Sequence, residues 1–373
     1  MTKAPRIVIA AGGTAGHVVP ALAVADALRA DGADVVFVGG ERAERELVPA
    51  GGYELRTLAV EGISRTNPLK AARAVAKAGA GVVRAGSILR ELRPDAVMGG
   101  GGYVAGTVGA AAALRRRPLV LTEADSHLGI SNRALARFAR RVCLAFPLEH
   151  RDGERYRVTG RPVPPPATDR AAARARFGLA EDDVVVLVFG GSLGARSINE
   201  AAVAAFADPA GPVPAGPVGP VAPEGGRPAD GRFRVLHAAG RRDFDALSAP
   251  GTHYDLRPYI DGFGEALLVS DLVVARSGGS VFEIAAHGRP ALLIPYPHAA
   301  ADHQTANARW MERHGAAVIV PDGELTAERL RQEVGALLAD RDRLAAMAAA
   351  SADLARPHAA REIADELLSA AGV

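Results

Sequence analysis

Three short stretches carry residue types that can do chemistry. The first is Gly12-Gly13-Thr14-Ala15-Gly16-His17. Glycine reaches backbone angles closed to other residues and lets a ligand approach the main chain. A glycine turn that opens a helix presents free N–H groups and the positive end of the helix dipole, which suits a phosphate or diphosphate. His17 stands beside it and can exchange a proton near neutral pH. The spacing is not that of a dinucleotide fingerprint, because Thr14 occupies the place where G-x-G-x-x-G needs its second glycine. The second stretch is Gly99-Gly100-Gly101-Gly102 with Tyr103, and the third is Gly190-Gly191-Ser192-Leu193-Gly194, where the Ser192 hydroxyl adds a donor. Two such turns in the first half and one in the second leave room for more than one phosphorylated ligand.

A fourth group lies further on, in Arg276-Ser-Gly-Gly-Ser-Val-Phe-Glu283. A strand ends at Arg276 and a helix starts near Ser280, which sets the guanidinium beside a helix N-terminus, where it suits a diphosphate. Glu283, one turn in, can accept from ribose hydroxyls or complete an S-x-x-E capping box with Ser280. His303, Gln304 and Asn307 fall at a strand end and the start of a helix. His298 and His303 lack the spacing and the carboxylate-rich frame of a metal pair. The Asp-x-Asp runs at 243–245 and 340–342 lie in charged helical stretches and read as solvated faces.

These residues must be positioned by alternating strands and helices. Apolar, β-branched runs at 6–11, 35–39, 55–60, 95–98, 118–122 and 141–146 read as buried strands, with helical periodicity at 19–31, 41–50, 69–92, 103–115 and 130–140. The charge-free window Ala96–Leu114 reads as strand, glycine loop and small-residue helix rather than a membrane span. Gly160-Arg-Pro-Val-Pro-Pro-Pro166 cannot continue helix or sheet and reads as a linker. From Asp183 the plan restarts, with strands at 233–239, 271–275, 291–295 and 317–320. The pattern predicts an α/β chain of two Rossmann-like domains, each with a parallel sheet, facing an interdomain cleft. The expected division is 1–160, a linker at 161–166, a second domain at 167–358, and a last helix in 359–373 that crosses back onto the first domain. Residues 208–232, rich in Pro and Gly, read as a flexible surface loop.

The 373 residues suffice for two cores, and 49% are hydrophobic. A net charge of +2 argues against nucleic acid as the main partner. One cysteine, Cys143, rules out a disulfide framework and a thiolate cluster, which suits a reducing cytoplasm. No basic-then-apolar leader precedes the first strand. Between Glu61 and Glu91 there is no acid, while Arg65, Lys70, Arg73, Lys77, Arg84 and Arg90 intersperse Ile63, Leu69, Val75, Val82 and Ile88. Such a stretch reads either as an amphipathic helix packed on the sheet with a basic outer face or as a surface for an anionic leaflet.

The ordered set GGTAGH (12–17), GGGGYV (99–104), ISNRALARFARRVCLAFP (130–147), GGSLGAR (190–196) and RSGGSVFEIAAHGRPALLIPYPHAAADHQTANA (276–308) resembles the MurG family over most of the chain. The resemblance implies the GT-B fold and an inverting transfer of N-acetylglucosamine from UDP-GlcNAc to undecaprenyl-diphosphate-MurNAc-pentapeptide (lipid I), giving lipid II for peptidoglycan. It implies that Thr14, Ala15 and Gly16 contact the donor side and that His17 is a base or acceptor-site residue. Gly101, Gly102 and Tyr103 would help form the acceptor diphosphate site. Ser192 matches a donor-binding serine, and Ile260 a residue whose backbone reads uracil. Arg276, Ser280 and Glu283 match the turn holding phosphate and ribose, and Gln304 with His303 match sugar-binding positions. The chain departs from the family pattern in three places. Thr122-Glu-Ala-Asp125 replaces His-Glu-Gln-Asn, so Asp125 stands for the donor-contacting Asn. Arg161-Pro-Val-Pro164 replaces Asn-Pro-Val-Arg, and the 276–283 turn is one residue shorter.

The resulting expectation has His17, then Asp125, as base, and helix N-termini with Arg276 meeting the leaving-group charge. No cofactor is tightly bound, and magnesium would come only with the diphosphate. Expected partners are UDP-GlcNAc, lipid I, an anionic inner-leaflet membrane surface and cell-wall or division proteins, at the cytoplasmic face of the plasma membrane. The alternatives are a UDP-GlcNAc 2-epimerase, a glycosyltransferase with another lipid acceptor, and a catalytically weak UDP-sugar-binding scaffold.

Overall fold

The computed structural model describes residues 4–13, 15–59, 68–191, 193–212 and 232–373. Thr14, Ser192, residues 60–67 of the basic stretch and most of the 208–232 loop lie outside the described residues, as do the side chains of Ala15 and 68–78. The chain divides into two compact units, Met1–Pro164 with Arg356–Val373, and Pro165–Ala355.

The first unit is built on β1 (Arg6–Ala10), β2 (Asp34–Gly39), β3 (Glu54–Thr57), β4 (Ala96–Gly99), β5 (Leu119–Glu123), β6 (Arg141–Leu144) and β7 (Tyr156–Val158). The order is β3-β2-β1-β4-β5-β6-β7, and every pairing is parallel. The connecting helices are α1 (Ala15–Ala30), α2 (Ala43–Ala50), α3 (Pro68–Leu92), α4 (Gly102–Leu114) and α5 (Ile130–Leu135). Period-two alternation explains the two layers: Ile7 and Ile9 face one core, Val8 and Ala10 the other. Helix α1 buries Val18, Ala21, Val24, Ala25 and Leu28, a stripe at helical spacing, in the first of these.

The second unit holds β8 (Val184–Phe189), β9 (Phe233–Ala238), β10 (Tyr254–Arg257), β11 (Leu272–Ala275), β12 (Ala291–Leu293) and β13 (Ala317–Ile319), ordered β10-β9-β8-β11-β12-β13 and again parallel. Its helices are α6 (Arg170–Arg176), α7 (Arg196–Ala205), α8 (Phe263–Val269), α9 (Val281–Ala286), α10 (His303–Arg313), α11 (Ala327–Ala339) and α12 (Arg341–Asp353). All six residues of β8 are buried, as expected of a parallel strand covered on both faces.

The last helix, α13 (Ala359–Ala371), belongs to the first unit. Ile363, Ala364 and Leu367 enter the α1 core. Glu366 bonds Arg141 at 2.7 Å and Arg157 at 2.9 Å, and Arg361 pairs with Asp31 at 2.5 Å. At the other end Gly160 must be glycine, since a Cβ there would sit 2.4 Å from Arg356 Cβ at a φ of +81°. Two strands escape the hydrophobic-run criterion: β7 and β10 are short, polar and at sheet edges. The helix expected over 130–140 ends at Leu135 in a single 3₁₀ turn, because Arg140 N–H already bonds Leu119 O and begins the approach to β6.

Candidate active site

In each sheet the strand order reverses beside the first strand of its unit, at β1/β4 and at β8/β11. Ligands of open α/β sheets bind outside the carboxyl ends of strands at such points. The four chemically suggestive turns follow those four strands.

In the first unit the turns after β1 and β4 touch. A Cβ on Gly102 would lie 2.4 Å from Gly12 O, and one on Gly101 would lie 2.9 Å from His17 Nδ1. Both glycines have positive φ, +94° at Gly101 and +76° at Gly102, so the β4 turn needs them twice over. Tyr103, in the first turn of α4, reaches toward the β2 turn, where a Cβ on Gly40 would meet its hydroxyl at 2.8 Å.

Sequence reading missed Glu44. Its carboxylate is fully buried and accepts from Gly13 N–H at 2.9 Å and from Gly40 N–H at 2.7 Å. The Gly13 amide, expected to receive a phosphate, is therefore already bonded to an internal anion. The signal was a carboxylate four residues after Gly39-Gly40, which period analysis counts as one more charged position in α2.

His17 lies in the first turn of α1, and its Nδ1 is shielded from solvent with no hydrogen-bond partner among the described residues. Burial first, then the Arg161 cation, pushes its pKa below the usual value, and Asp125 opposes them. The imidazole is thus neutral at neutral pH and able to take a proton. It lines a pocket of about 380 Å³, open mouth included, with Pro20, Thr122, Glu123 and Arg161. Pro20 has no N–H to give Gly16 O, the acceptor four residues back. Arg161 Nη2 donates to that carbonyl instead, at 2.5 Å.

Glu123, also missed, organises the segment that carries Asp125. It accepts from Gly129 N–H at 2.8 Å, Asn132 Nδ2 at 2.9 Å and Asp125 N–H at 3.2 Å. Burial raises its pKa while these three bonds pull the other way. Asn132 Nδ2 also donates to Thr122 O at 3.0 Å, which fixes the start of α5 against the end of β5.

In the second unit Gly194 and Gly240 abut so closely that a Cβ on Gly194 would lie 2.1 Å from Ala239 O. Asn199 Nδ2 holds the same carbonyl at 2.9 Å and Asp243 Oδ2 at 3.3 Å, while its Oδ1 meets His237 Nε2 at 3.0 Å. Asp243 is 4% exposed, so its part of the Asp-x-Asp run is a buried brace for the third glycine turn and not a solvated face. Asp340 of the other run caps α12, accepting from Arg343 N–H at 3.0 Å.

Arg276 does not point outward as expected. It is 8% exposed and pairs with Asp322 at 2.6 Å. It also donates to Ile294 O and Pro295 O, each at 3.1 Å, and to Ser197 Oγ at 3.0 Å. Its charge is compensated inside the unit, and its effect is to tie the β11 turn to the ends of β12 and the start of α7. Ser280 has helical angles and makes no side-chain cap bond, so the capping box with Glu283 does not form. Gln304 Oε1 accepts from Tyr296 N–H at 3.0 Å, and Ser277 Oγ donates to Gln304 O at 2.8 Å. Asn307 Nδ2 closes this link on Ser277 O at 3.0 Å. His303 follows Ala301 and Asp302, both at positive φ. Ile260 is buried, 2% exposed as a whole residue. The turns bearing Gly190–Gly191, Arg276–Glu283 and Gln304 therefore gather at the carboxyl ends of β8, β11 and β12. Among the described residues no three His, Cys, Asp or Glu are grouped to hold a metal ion.

Residues 7–144 match the glycosyltransferase family 28 N-terminal domain and residues 185–367 its C-terminal domain. A UDP-N-acetylglucosamine--N-acetylmuramyl-(pentapeptide) pyrophosphoryl-undecaprenol N-acetylglucosamine transferase of Moorella thermoacetica is 40% identical, over 97% of this chain and 98% of the relative. The transferase of the same name from Salinibacter ruber is also 40% identical, over 99% and 98%. The crystal structure of Acinetobacter baumannii MurG superposes with a TM-score of 0.73 at 28% identity, covering 98% of this chain and 100% of that one. The chain belongs to the MurG family. It is a glycosyltransferase of GT-B fold, with seven and six parallel strands in its two sheets. Two of its departures from the MurG pattern, Asp125 and Arg161, are the charged residues that act on His17 from opposite electrical sides.

Proposed function

We propose that this glycosyltransferase moves N-acetylglucosamine from UDP-GlcNAc to the C4 hydroxyl of MurNAc in lipid I, giving lipid II. The observation that carries this reading is the full-length identity to transferases named for that reaction. The acceptor oxygen attacks the anomeric carbon from the face opposite the diphosphate. The C1–O bond to UDP breaks and its electron pair leaves with UDP, so the configuration inverts. The neutral imidazole of His17 takes the hydroxyl proton, with Asp125 as the second candidate.

Gly101, Gly102 and Tyr103 bind the acceptor beside His17. Thr14, Ala15 and Gly16 approach the donor. In the second unit Ser192 and the N-terminus of α7 receive the diphosphate, with Arg196 at hand, its side chain 73% exposed. Arg276 supports the turn from behind. The Ile260 backbone reads the base, Ser280 and Glu283 the phosphate and ribose, and Gln304 with His303 the sugar. Any magnesium accompanies the diphosphate as part of the donor.

The lipid-linked acceptor calls for contact with an anionic inner leaflet, at the cytoplasmic face of the plasma membrane, and with cell-wall and division proteins. Exposed Val83, Leu114, Ile130 and Phe138, with Arg84, Arg115, Arg133 and Arg137 also exposed near them in sequence, support the membrane reading. No helix among the described residues is long and apolar enough to cross a membrane. The test is transfer to a short-chain lipid I analogue. The wild type forms the disaccharide product, and no product sinks the reading. His17→Ala lowers kcat by roughly 10²–10⁴-fold with UDP-GlcNAc binding unchanged, whereas Asp125→Asn leaves more activity. An unimpaired His17→Ala removes His17 as base.

A further inference from the structure

Helix α1 carries a proline at its sixth position, and its consequence falls on the residue beside His17. Residue 20 of an unbroken helix would donate to Gly16 O, but Pro20 cannot. The guanidinium of Arg161, distant in sequence, fills that vacancy at 2.5 Å. The cation is thereby fixed one residue from His17 and on the wall of the same pocket.

We propose that Arg161 is a positioning residue for His17: bound to the carbonyl that Pro20 leaves open, it secures the first turn of α1 and presents a fixed positive charge to the imidazole. The proposal rests on the reading of His17 as the group that takes the acceptor proton. A cation close to a base opposes its protonation, so the imidazole stays ready at lower pH. Each element around the pocket contributes a known group. The β5 end brings Glu123 and, two residues on, Asp125, whose charge acts in the opposite sense. Strand β6 brings the Cys143 thiol, which burial keeps protonated far above neutrality, and α13 brings only the apolar Ile363. The strand β4 wall is Met98 and Gly100. Arg161 is therefore the cation on this pocket wall among the described residues. Direction and cause agree with the lowered pKa of His17, in which Arg161 ranks second to burial.

The experiment has two readouts on the full chain. The first is an NMR titration of the His17 imidazole in the wild type, Arg161→Gln, Arg161→Lys and Pro20→Ala. Arg161→Gln raises the pKa of His17 by about half a pH unit or more. Arg161→Lys, which keeps the charge, stays nearer the wild type. Pro20→Ala supplies the missing N–H, competes for Gly16 O and moves His17 in the same direction by less. The second readout is the acid limb of kcat/KM for a short-chain lipid I analogue, which shifts upward in parallel with the NMR value. Retained UDP-GlcNAc binding by calorimetry shows that each variant is folded. An Arg161→Gln protein whose His17 titrates at or below the wild-type value overturns the proposal. A raised NMR value with a stationary acid limb overturns it too, by removing His17 as the base. If neither the imidazole nor the acid limb moves in Arg161→Gln, Arg161 alone is removed and the base assignment stands; an acid limb that moves while the imidazole does not removes both.

Discussion

The two switch points share a topology and differ in how their charge is settled. At β1/β4 the buried carboxylate of Glu44 satisfies backbone: it holds Gly13 and Gly40 N–H groups and pairs with no described cation. At β8/β11 the carboxylate of Asp322 satisfies a side chain, the guanidinium of Arg276. In both places a group that reads in sequence as a phosphate ligand has been taken by an internal acid. The lesson is that a glycine turn or an arginine at a strand end supplies potential donors, and the surrounding carboxylates decide which of them remain for a substrate. In the first unit what remains is a neutral histidine between two glycine turns. In the second it is braced backbone at the carboxyl ends of the strands.

The sharpest way to break this comparison is to remove one acid from each side. Asp322→Ala strands the Arg276 cation in a buried site and is expected to cost about 3–5 kcal/mol in denaturant unfolding. The double variant with Arg276→Met recovers much of that. If Asp322→Ala is as stable as the wild type, Arg276 is not an internally compensated charge.

The second unit also carries a pH test. Burial lowers the pKa of His237 to about 4, and its ring nitrogens meet Tyr254 Oη at 2.8 Å and Asn199 Oδ1 at 3.0 Å. A depressed histidine contributes its full stability above the unfolded value near 6.5 and loses it as pH falls toward 4. Unfolding followed between pH 7 and 4 should show a loss of about 3 kcal/mol that a neutral replacement such as His237→Gln does not show.

On the first side Glu44→Gln keeps the shape and removes one of the two acceptor oxygens. The expected cost is about 1–3 kcal/mol of stability, with kcat lowered more than the KM for UDP-GlcNAc because the disturbed turns belong to the first unit. An equal rise in donor KM would place Glu44 in donor binding. The smallest effect belongs to Ser280→Ala, whose side chain forms no cap. It should change stability by less than about 0.5 kcal/mol, so any larger loss would reinstate the capping box.

Much of the fold was legible because the strands of a parallel sheet are continuous apolar runs and the helices between them are periodic. The runs Ile7–Ala10 and Val184–Phe189 could scarcely be read otherwise. The edge strands Tyr156–Val158 and Tyr254–Arg257 were not legible, since edges bury little and need no apolar signature. His17 was legible through its place after a glycine turn. Glu44, Glu123, Asp243 and Asp322 were not, because an acid in a polar stretch looks the same whether water or a buried N–H receives it.

By itself the sequence determined the alternation of elements, the repeated strand–turn–helix plan and the glycines at which the backbone must turn. These follow from local propensity and period, which a linear reading can measure. The tertiary structure alone decided the state of each charged group. Whether Arg276 faces a substrate or Asp322, whether Gly13 N–H is open, and whether His17 is neutral all depend on residues distant in sequence, Arg161 and Gly16 being 145 apart. Solvation and Coulomb energy depend on distance in space, and only folding sets that distance.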